Sequence, residues 1–186
     1  MVLLELFDEA NQPLGITKEK AAVHIDGDWH RTSEIVVINP QHEILLSLRH
    51  PDKKYLPNFW DVCLGGHLDP GESYESAARR ELKEEIGIKP AKGELVYLGV
   101  MDVVAIDPAC RLIDREHAGV FVWPADVQPD ALTMQPDEVA DLKWVAIDAV
   151  IADIDSELPS LRFTPPHHTY RETLRWVKKW LSTRQA

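Results

Sequence analysis

Along the chain, apolar positions fall into short runs rich in Val, Ile and Leu, and the period shifts to a helical one in two places. Residues 3–8, 34–39, 44–49, 94–105, 118–123 and 141–145 have the length and β-branched content of strands. The second and third runs are separated by Pro40-Gln41-His42-Glu43, which predicts a hairpin. Helical spacing marks residues 74–86 and 170–182, with a shorter stretch near 148–153. The last helix carries Leu174, Val177, Trp180 and Leu181 on one face, as a helix packed on a core does. Pro165 and Pro166 upstream end whatever precedes it. Strands before and after a well-formed helix, with another helix at the end, predict an α/β (α+β) fold in which a mixed sheet lies between helices.

At 186 residues the chain fits one domain that buries its core without covalent staples. We expect an N-terminal strand-and-loop extension over 1–33, a core over 34–150 and a tail with a helix over 151–186. The formal charge of -11, from 31 acidic and 20 basic residues, argues against a nucleic-acid partner, which needs a basic stripe. No run approaches the length of a membrane span, and the segment Met1-Val2-Leu3-Leu4-Glu5 lacks the features of a signal peptide. Cys63 and Cys110 could pair, but nothing suggests a secreted disulfide scaffold, so the expected setting is the cytoplasm. The same negative charge sets a condition on any phosphate-bearing substrate: a bound cation has to dominate the site locally.

Candidate chemistry concentrates in residues 66–88. Ser73 can cap a helix, Glu75 suits its first turn, and Gly87 suits its left-handed stop. At about 100° per residue, Ala78, Leu82 and Ile86 form an apolar stripe, and Glu81, Glu84 and Glu85 share an arc beside it. A solvated acidic face offset by Arg79, Arg80 and Lys83 is the usual meaning of such a run. Like charges on one helix face repel, however, and hard cations with oxygen ligands, Mg²⁺ or Mn²⁺, would turn that repulsion into attraction.

Gly66, Glu72, Arg80, Glu81, Leu82, Glu84, Glu85, Gly87 and Ile88 meet every specified position of the pattern that defines the Nudix box. By average residue usage a chance match is rarer than about one in a million. The chain therefore resembles the Nudix hydrolases, and the fold implied is their mixed sheet between helices (α/β/α). The resemblance implies that Glu81, Glu84 and Glu85, with the carbonyl of Gly66, hold catalytic Mg²⁺ (or Mn²⁺), and that Glu72 and Arg80 form an internal brace. It also implies hydrolysis of a diphosphate linkage in a small molecule, with the protein a monomer or a homodimer.

Further residues resemble the branch containing the type I isopentenyl-diphosphate isomerases and their hydrolase-like relatives. They are Asp8, Leu14-Gly15, His24, Trp29-His30-Arg31, Arg49, Lys53, Lys54, Leu56-Pro57, Trp60, His67, Asp114, Glu116, Asp137-Glu138-Val139 and Trp144. That resemblance implies a second metal site built from His24, His30, His67, Asp114 and Glu116, which would admit Mn²⁺ or Zn²⁺ as well as Mg²⁺. Each of those histidines taken singly is more often just solvated. Arg49, Lys53 and Lys54 become candidates for phosphate contacts, although a solvated loop accounts for adjacent lysines equally well. Trp60 and Tyr55 are candidates for a pocket wall, with core packing the commoner role for Trp60.

The general base is expected from Glu116, just before the run 118–123, in preference to Glu138, in the loop before 141–145. The resemblance breaks at Gly65, which stands where the isomerases carry their catalytic cysteine. Cys63, two residues away, would lie about 7 Å off along a strand, too far for proton transfer at the same carbon. Three readings follow: a Nudix diphosphatase, an isopentenyl-diphosphate isomerase disfavoured by Gly65, and a non-catalytic diphosphate sensor disfavoured by the intact box carboxylates.

Overall fold

The structure is a computed structural model that describes residues 2–108, 111–165 and 167–184. Cys110, and with it any pairing with Cys63, lies outside the described residues, as does Pro166. The chain begins with an antiparallel ribbon of β1 (Leu3–Phe7) and β2 (Pro13–Glu19), followed by helix α1 (Lys20–Asp26). Then come β3 (Trp29–Ile38), β4 (Glu43–Arg49), β5 (Trp60–Asp61), β6 (Leu64–His67) and helix α2 (Tyr74–Ile86). A long hairpin of β7 (Val96–Asp107) and β8 (Leu112–Pro124), strand β9 (Val139–Ala146) and helices α3 (Ile147–Ile154) and α4 (His167–Ser182) complete the fold.

β3 is the hub of the mixed sheet. One edge runs parallel to β8 along its whole length, from Trp29 opposite Arg115 to Ile38 opposite Pro124. The other edge is shared in turn by β1 at Trp29, β6 from Thr32 to Ile35, and β4 at Ile38. β7 flanks β8, and β9 flanks β4. The hairpin expected at 40–43 forms between β3 and β4. Asn39 Oδ1 accepts the backbone N–H groups of Gln41 and Glu43 at 3.0 and 2.9 Å, a side chain standing in for ladder partners.

Strand alternation sorts the core into two layers. Ile35, Val37, Leu45, Leu64, Phe121 and Trp123 point to α2, where Ala78, Leu82 and Ile86 meet them as the helical stripe requires. Val36, Ile38, Ile44, Leu46 and Val122 point the other way, onto Ile147, Val150, Leu174 and Val177 of α3 and α4. The mixed sheet between helices is therefore the one the periodicity predicts. Ser73 Oγ caps α2 by accepting the Ser76 N–H at 3.2 Å, and Gly87 ends it at φ 77°.

Several boundaries differ from expectation. The segment 1–33 is more than a strand and loop: it holds β2, α1 and the start of β3. β8 begins at Leu112, so Glu116 lies inside the strand and not before it. β6 was not anticipated, because its Gly65-Gly66 pair carries no strand propensity. Among the described residues no helix is long and apolar enough to cross a membrane.

Leu174 is fully buried between α4 and the sheet, while Leu158 is 89% exposed. Leu174→Ala is expected to lower unfolding free energy by about 2–5 kcal/mol through lost transfer energy and the cavity left behind. Leu158→Ala should shift it by less than about 0.5 kcal/mol. Urea denaturation of the two variants checks the layer assignment.

Candidate active site

The box residues are assembled where the loop after β6 meets α2. Arg80 is the pin. Its guanidinium donates to Glu72 at 2.9 Å, to Glu81 at 2.6 Å, to Glu84 at 3.2 Å and to the His67 carbonyl at 2.8 Å. One cation thus ties the helix to the loop and offsets the repulsion among its neighbours. The Glu81 carboxylate lies directly over Gly66: a Cβ built there would sit 2.6 Å from Glu81 Oε1, so only glycine lets carboxylate and backbone approach this closely. Burial pushes the Glu81 carboxyl up despite Arg80. Burial, with Glu81, Asp61 and Glu138 nearby, pushes Glu85 well above the carboxylate range, while the Gly65 N–H donates to it. Glu84 is half-exposed at the rim.

A second cluster lies on the other side of His67. β3 and β8 bring His30 opposite Glu116, and α1 delivers His24. The His24 and His67 Nε2 atoms stand 3.3 Å apart; His30 Nε2 is 3.4 Å from Asp114 and 3.8 Å from Glu116. Ligand atoms of His24, His30 and His67 fall within 4.8 Å of one another, as do those of His30, Asp114 and Glu116. All five side chains that the sequence grouped are therefore brought together. His30 Nε2 and Asp114 Oδ1 are buried without a hydrogen-bond partner. With Nδ1 donating to the Asp28 carbonyl, neutral His30 leaves a lone pair on Nε2, and two orphaned lone-pair atoms converging on one point fit a divalent cation of mixed nitrogen and oxygen ligation.

The protonation states agree with that fit. Burial depresses His24 and His30 to about 4, helped at His24 by His30 and Lys20 and at His30 by Lys20, so both rings are neutral and free to ligate. Burial raises Asp114 to about 6, and burial, then Asp114 and Glu34, raises Glu116. Each of these carboxyls would be relieved by a cation. The box carboxylates Glu81 and Glu85 are desolvated as well, but among the described residues the groups of side chains close enough to share one ion both belong to the histidine cluster.

The substrate-side residues are distributed differently from the sequence expectation. Arg49 turns inward: its guanidinium donates to the Leu56 and Tyr55 carbonyls at 3.2 and 3.1 Å and to Asp61 at 3.2 Å. Lys53 pairs with Glu138, and Lys54 lies 5.0 Å over the Tyr55 ring. Trp60 packs at the margin of the α4-side core, with Lys143 4.0 Å over its ring. Sequence reasoning missed Lys20, whose ammonium lies 3.2 Å from His67 Nδ1 and whose pKa burial lowers.

It also missed Glu34, read as the first residue of an apolar run, and the cross-chain contacts of Asp61. Glu34 lies opposite Gly65 in the β3–β6 ladder and accepts from the Cys63 thiol. Burial, then Asp61, lifts its carboxyl to about 7. Gly65 itself has φ 150°, and a Cβ there would fall 1.9 Å from the Ser33 carbonyl oxygen. No side chain fits.

The NUDIX domain profile matches residues 28–166, three-quarters of the chain. The chain belongs to the Nudix family. An uncharacterised Nudix hydrolase of Clostridium acetobutylicum is 33% identical over 159 residues, covering 83% of this chain and 75% of that protein. An isopentenyl-diphosphate Delta-isomerase of Paenarthrobacter aurescens is 36% identical over 164 residues, covering 88% of this chain and 85% of the isomerase. The crystal structure of DR0079 from Deinococcus radiodurans superposes with a TM-score of 0.71 over 92% of this chain and 98% of that one, at 21% identity. The fold is thus that of a Nudix domain, and the family uses divalent metals, for which the histidine cluster of this Nudix chain groups possible ligands.

Glu34 offers a test of the electrostatics in EDTA-treated protein. Its folded pKa of about 7 exceeds the unfolded 4.5, so its ionised form opposes folding above pH 7, and that opposition disappears as pH falls to 4.5. Glu34→Gln, which mimics the neutral form, is expected to be more stable than the parent by about 3 kcal/mol at pH 8. The two should converge at pH 4.5, as read by denaturation at each pH.

Proposed function

We propose that this Nudix protein is a diphosphatase, adding water at phosphorus to break a P–O–P linkage in a small organic diphosphate such as a nucleoside diphosphate derivative. The observation that carries this reading is the box itself: Glu81, held by Arg80 against Gly66, and Glu85, which accepts from the Gly65 N–H, are both desolvated and close enough for their charges to repel, a cost that a bound cation would relieve. Magnesium bound by Glu81, Glu84, Glu85 and the Gly66 carbonyl would neutralise phosphate oxygens and acidify a water.

The remaining steps fall to the chain's own groups. Lys53, which pairs with Glu138, Lys54 beside it and Lys20, which lies 3.2 Å from His67, are the cations suited to the substrate's phosphate charge. For the proton of the attacking water, Glu138 is favoured over Glu116. Glu138 stands on a turn near enough to Glu85 for their charges to interact, and it pairs with Lys53. Glu116 faces the ring nitrogens of His30 and His67 and suits the ligand role. The leaving phosphate departs as an anion toward the lysines.

A second reading, isopentenyl-diphosphate isomerase, is favoured by the three-histidine cluster and the Paenarthrobacter relative. Against it stands Gly65, where no thiol can be accommodated, and Cys63, which lies outside β6 with its thiol donated to Glu34. Uptake of deuterium from solvent into isopentenyl diphosphate would establish the isomerase; none is expected.

With Mg²⁺ or Mn²⁺, the purified protein is expected to hydrolyse at least one member of a panel of nucleoside diphosphate derivatives and isoprenyl diphosphates. A folded protein inert on the whole panel would defeat the proposal. Glu84→Gln and Glu85→Gln should each lose at least about tenfold in kcat/KM. Glu138→Gln is expected to lower kcat at least about 100-fold with KM nearly unchanged. Glu116→Gln should instead weaken Mn²⁺ binding measured by calorimetry.

A further inference from the structure

A connected set of polar contacts joins α4 to the loop that carries the site's lysines, and the proposed reaction does not use it. Residues 162–164 add to the short strand β5 as a parallel neighbour. Trp60 N–H donates to the Arg162 carbonyl at 2.7 Å, and Thr164 N–H donates to the Trp60 carbonyl at 3.1 Å. That register places Thr164 Oγ1 against Asp61 Oδ1, which also accepts from the Tyr170 hydroxyl of α4 at 2.5 Å. The other oxygen, Oδ2, accepts from Arg49 Nη1 at 3.2 Å. Tyr170 is buried, and burial together with Asp61 pushes its phenol well up, so it stays a donor.

Arg49 extends the connection. Its other nitrogens hold the carbonyls of Tyr55 and Leu56, and its backbone exchanges hydrogen bonds with Asn58 and Phe59. Leu56 and Asn58 both sit at positive φ, 50° and 60°, a costly shape that outside contacts must maintain. The same loop reaches the turn of the favoured base: His50 N–H donates to the Glu138 carbonyl at 2.9 Å.

We infer that Tyr170 and Thr164 are positioning residues for diphosphate binding: through Asp61 they fix Arg49, and through Arg49 the loop bearing Lys53 and Lys54. The inference rests on the diphosphatase reading for the ligand and on the contacts alone for the coupling. It gives Arg49 an indirect part, orienting the phosphate-facing loop, and makes the last helix a component of the site although no residue of α4 touches the box.

Tyr170→Phe removes one hydroxyl and keeps the ring in the core. Inorganic pyrophosphate with Mg²⁺, titrated calorimetrically, is the binding probe, and amide hydrogen exchange is followed across residues 50–58. The variant is expected to bind pyrophosphate about five- to tenfold more weakly, less than the full worth of a hydrogen bond to a charged group because the effect reaches the ligand only through Arg49 and the loop. Its loop amides should exchange faster while those of β3 do not change. On a hydrolysed substrate KM should rise with kcat within about twofold. Asp61→Asn should behave likewise, and the double variant should be no worse than Asp61→Asn, as members of one chain of contacts are not additive.

Unchanged exchange at residues 50–58 in both variants overturns the inference, with or without turnover, because that measurement needs no ligand. Unchanged KM, or equal losses spread over kcat and β3 exchange, overturns it as well. A wild-type protein that hydrolyses nothing on the panel, yet shows the expected exchange pattern, removes the diphosphatase reading and leaves the coupling standing.

Discussion

Carboxylates held out of water are the constraint around which this molecule is arranged. Glu34, Glu81, Glu85, Asp114 and Glu116 all have pKa values raised by burial, and several raise one another. Charge of one sign in a poorly solvated space is tolerated only when something holds the groups in place and something else offsets them. The framework is supplied by β3, β6 and β8, which are locked in register, and by α2, whose apolar stripe leaves it no freedom to rotate. Part of the offset comes from Arg80 and Lys20. The rest fits a divalent cation in the histidine cluster.

The two clusters are joined at residues 65–67. Gly65 presents its N–H to Glu85, Gly66 admits Glu81, and His67 turns its ring to the second cluster while its carbonyl holds Arg80. Gly65, held at φ 150° against the Ser33 carbonyl, leaves no room for a side chain at that position.

The legible parts of the fold were those with a strong period. α2 showed itself through Ala78, Leu82 and Ile86 with a cap at each end, and the β3–β4 hairpin through two dense Val, Ile and Leu runs around a turn. β2 was illegible because it is exposed on both faces and has no alternation to read. β6 lacked propensity, and α1 is too short for a period. The box was readable because its residues are close in sequence. The histidine grouping came from resemblance, as nothing local links His24 to Asp114. Glu34 was hidden by the apolar residues after it, and the Asp61–Tyr170 contact spans 109 positions that no local pattern connects. Where Arg49 turns could not be foreseen, because it depends on carbonyls freed by the positive-φ residues of the loop beside it.

The parallel ladder between β3 and β8 has a consequence for how the protein is made. It aligns His30 with Glu116, residues 86 positions apart, so the chain has to close a large loop before those side chains meet. Pairings of this separation slow folding relative to local ones. On a ribosome the N-terminal histidines emerge well before their acidic partners. A cation held there would join two segments far apart in sequence and so oppose their separation once the ladder has formed.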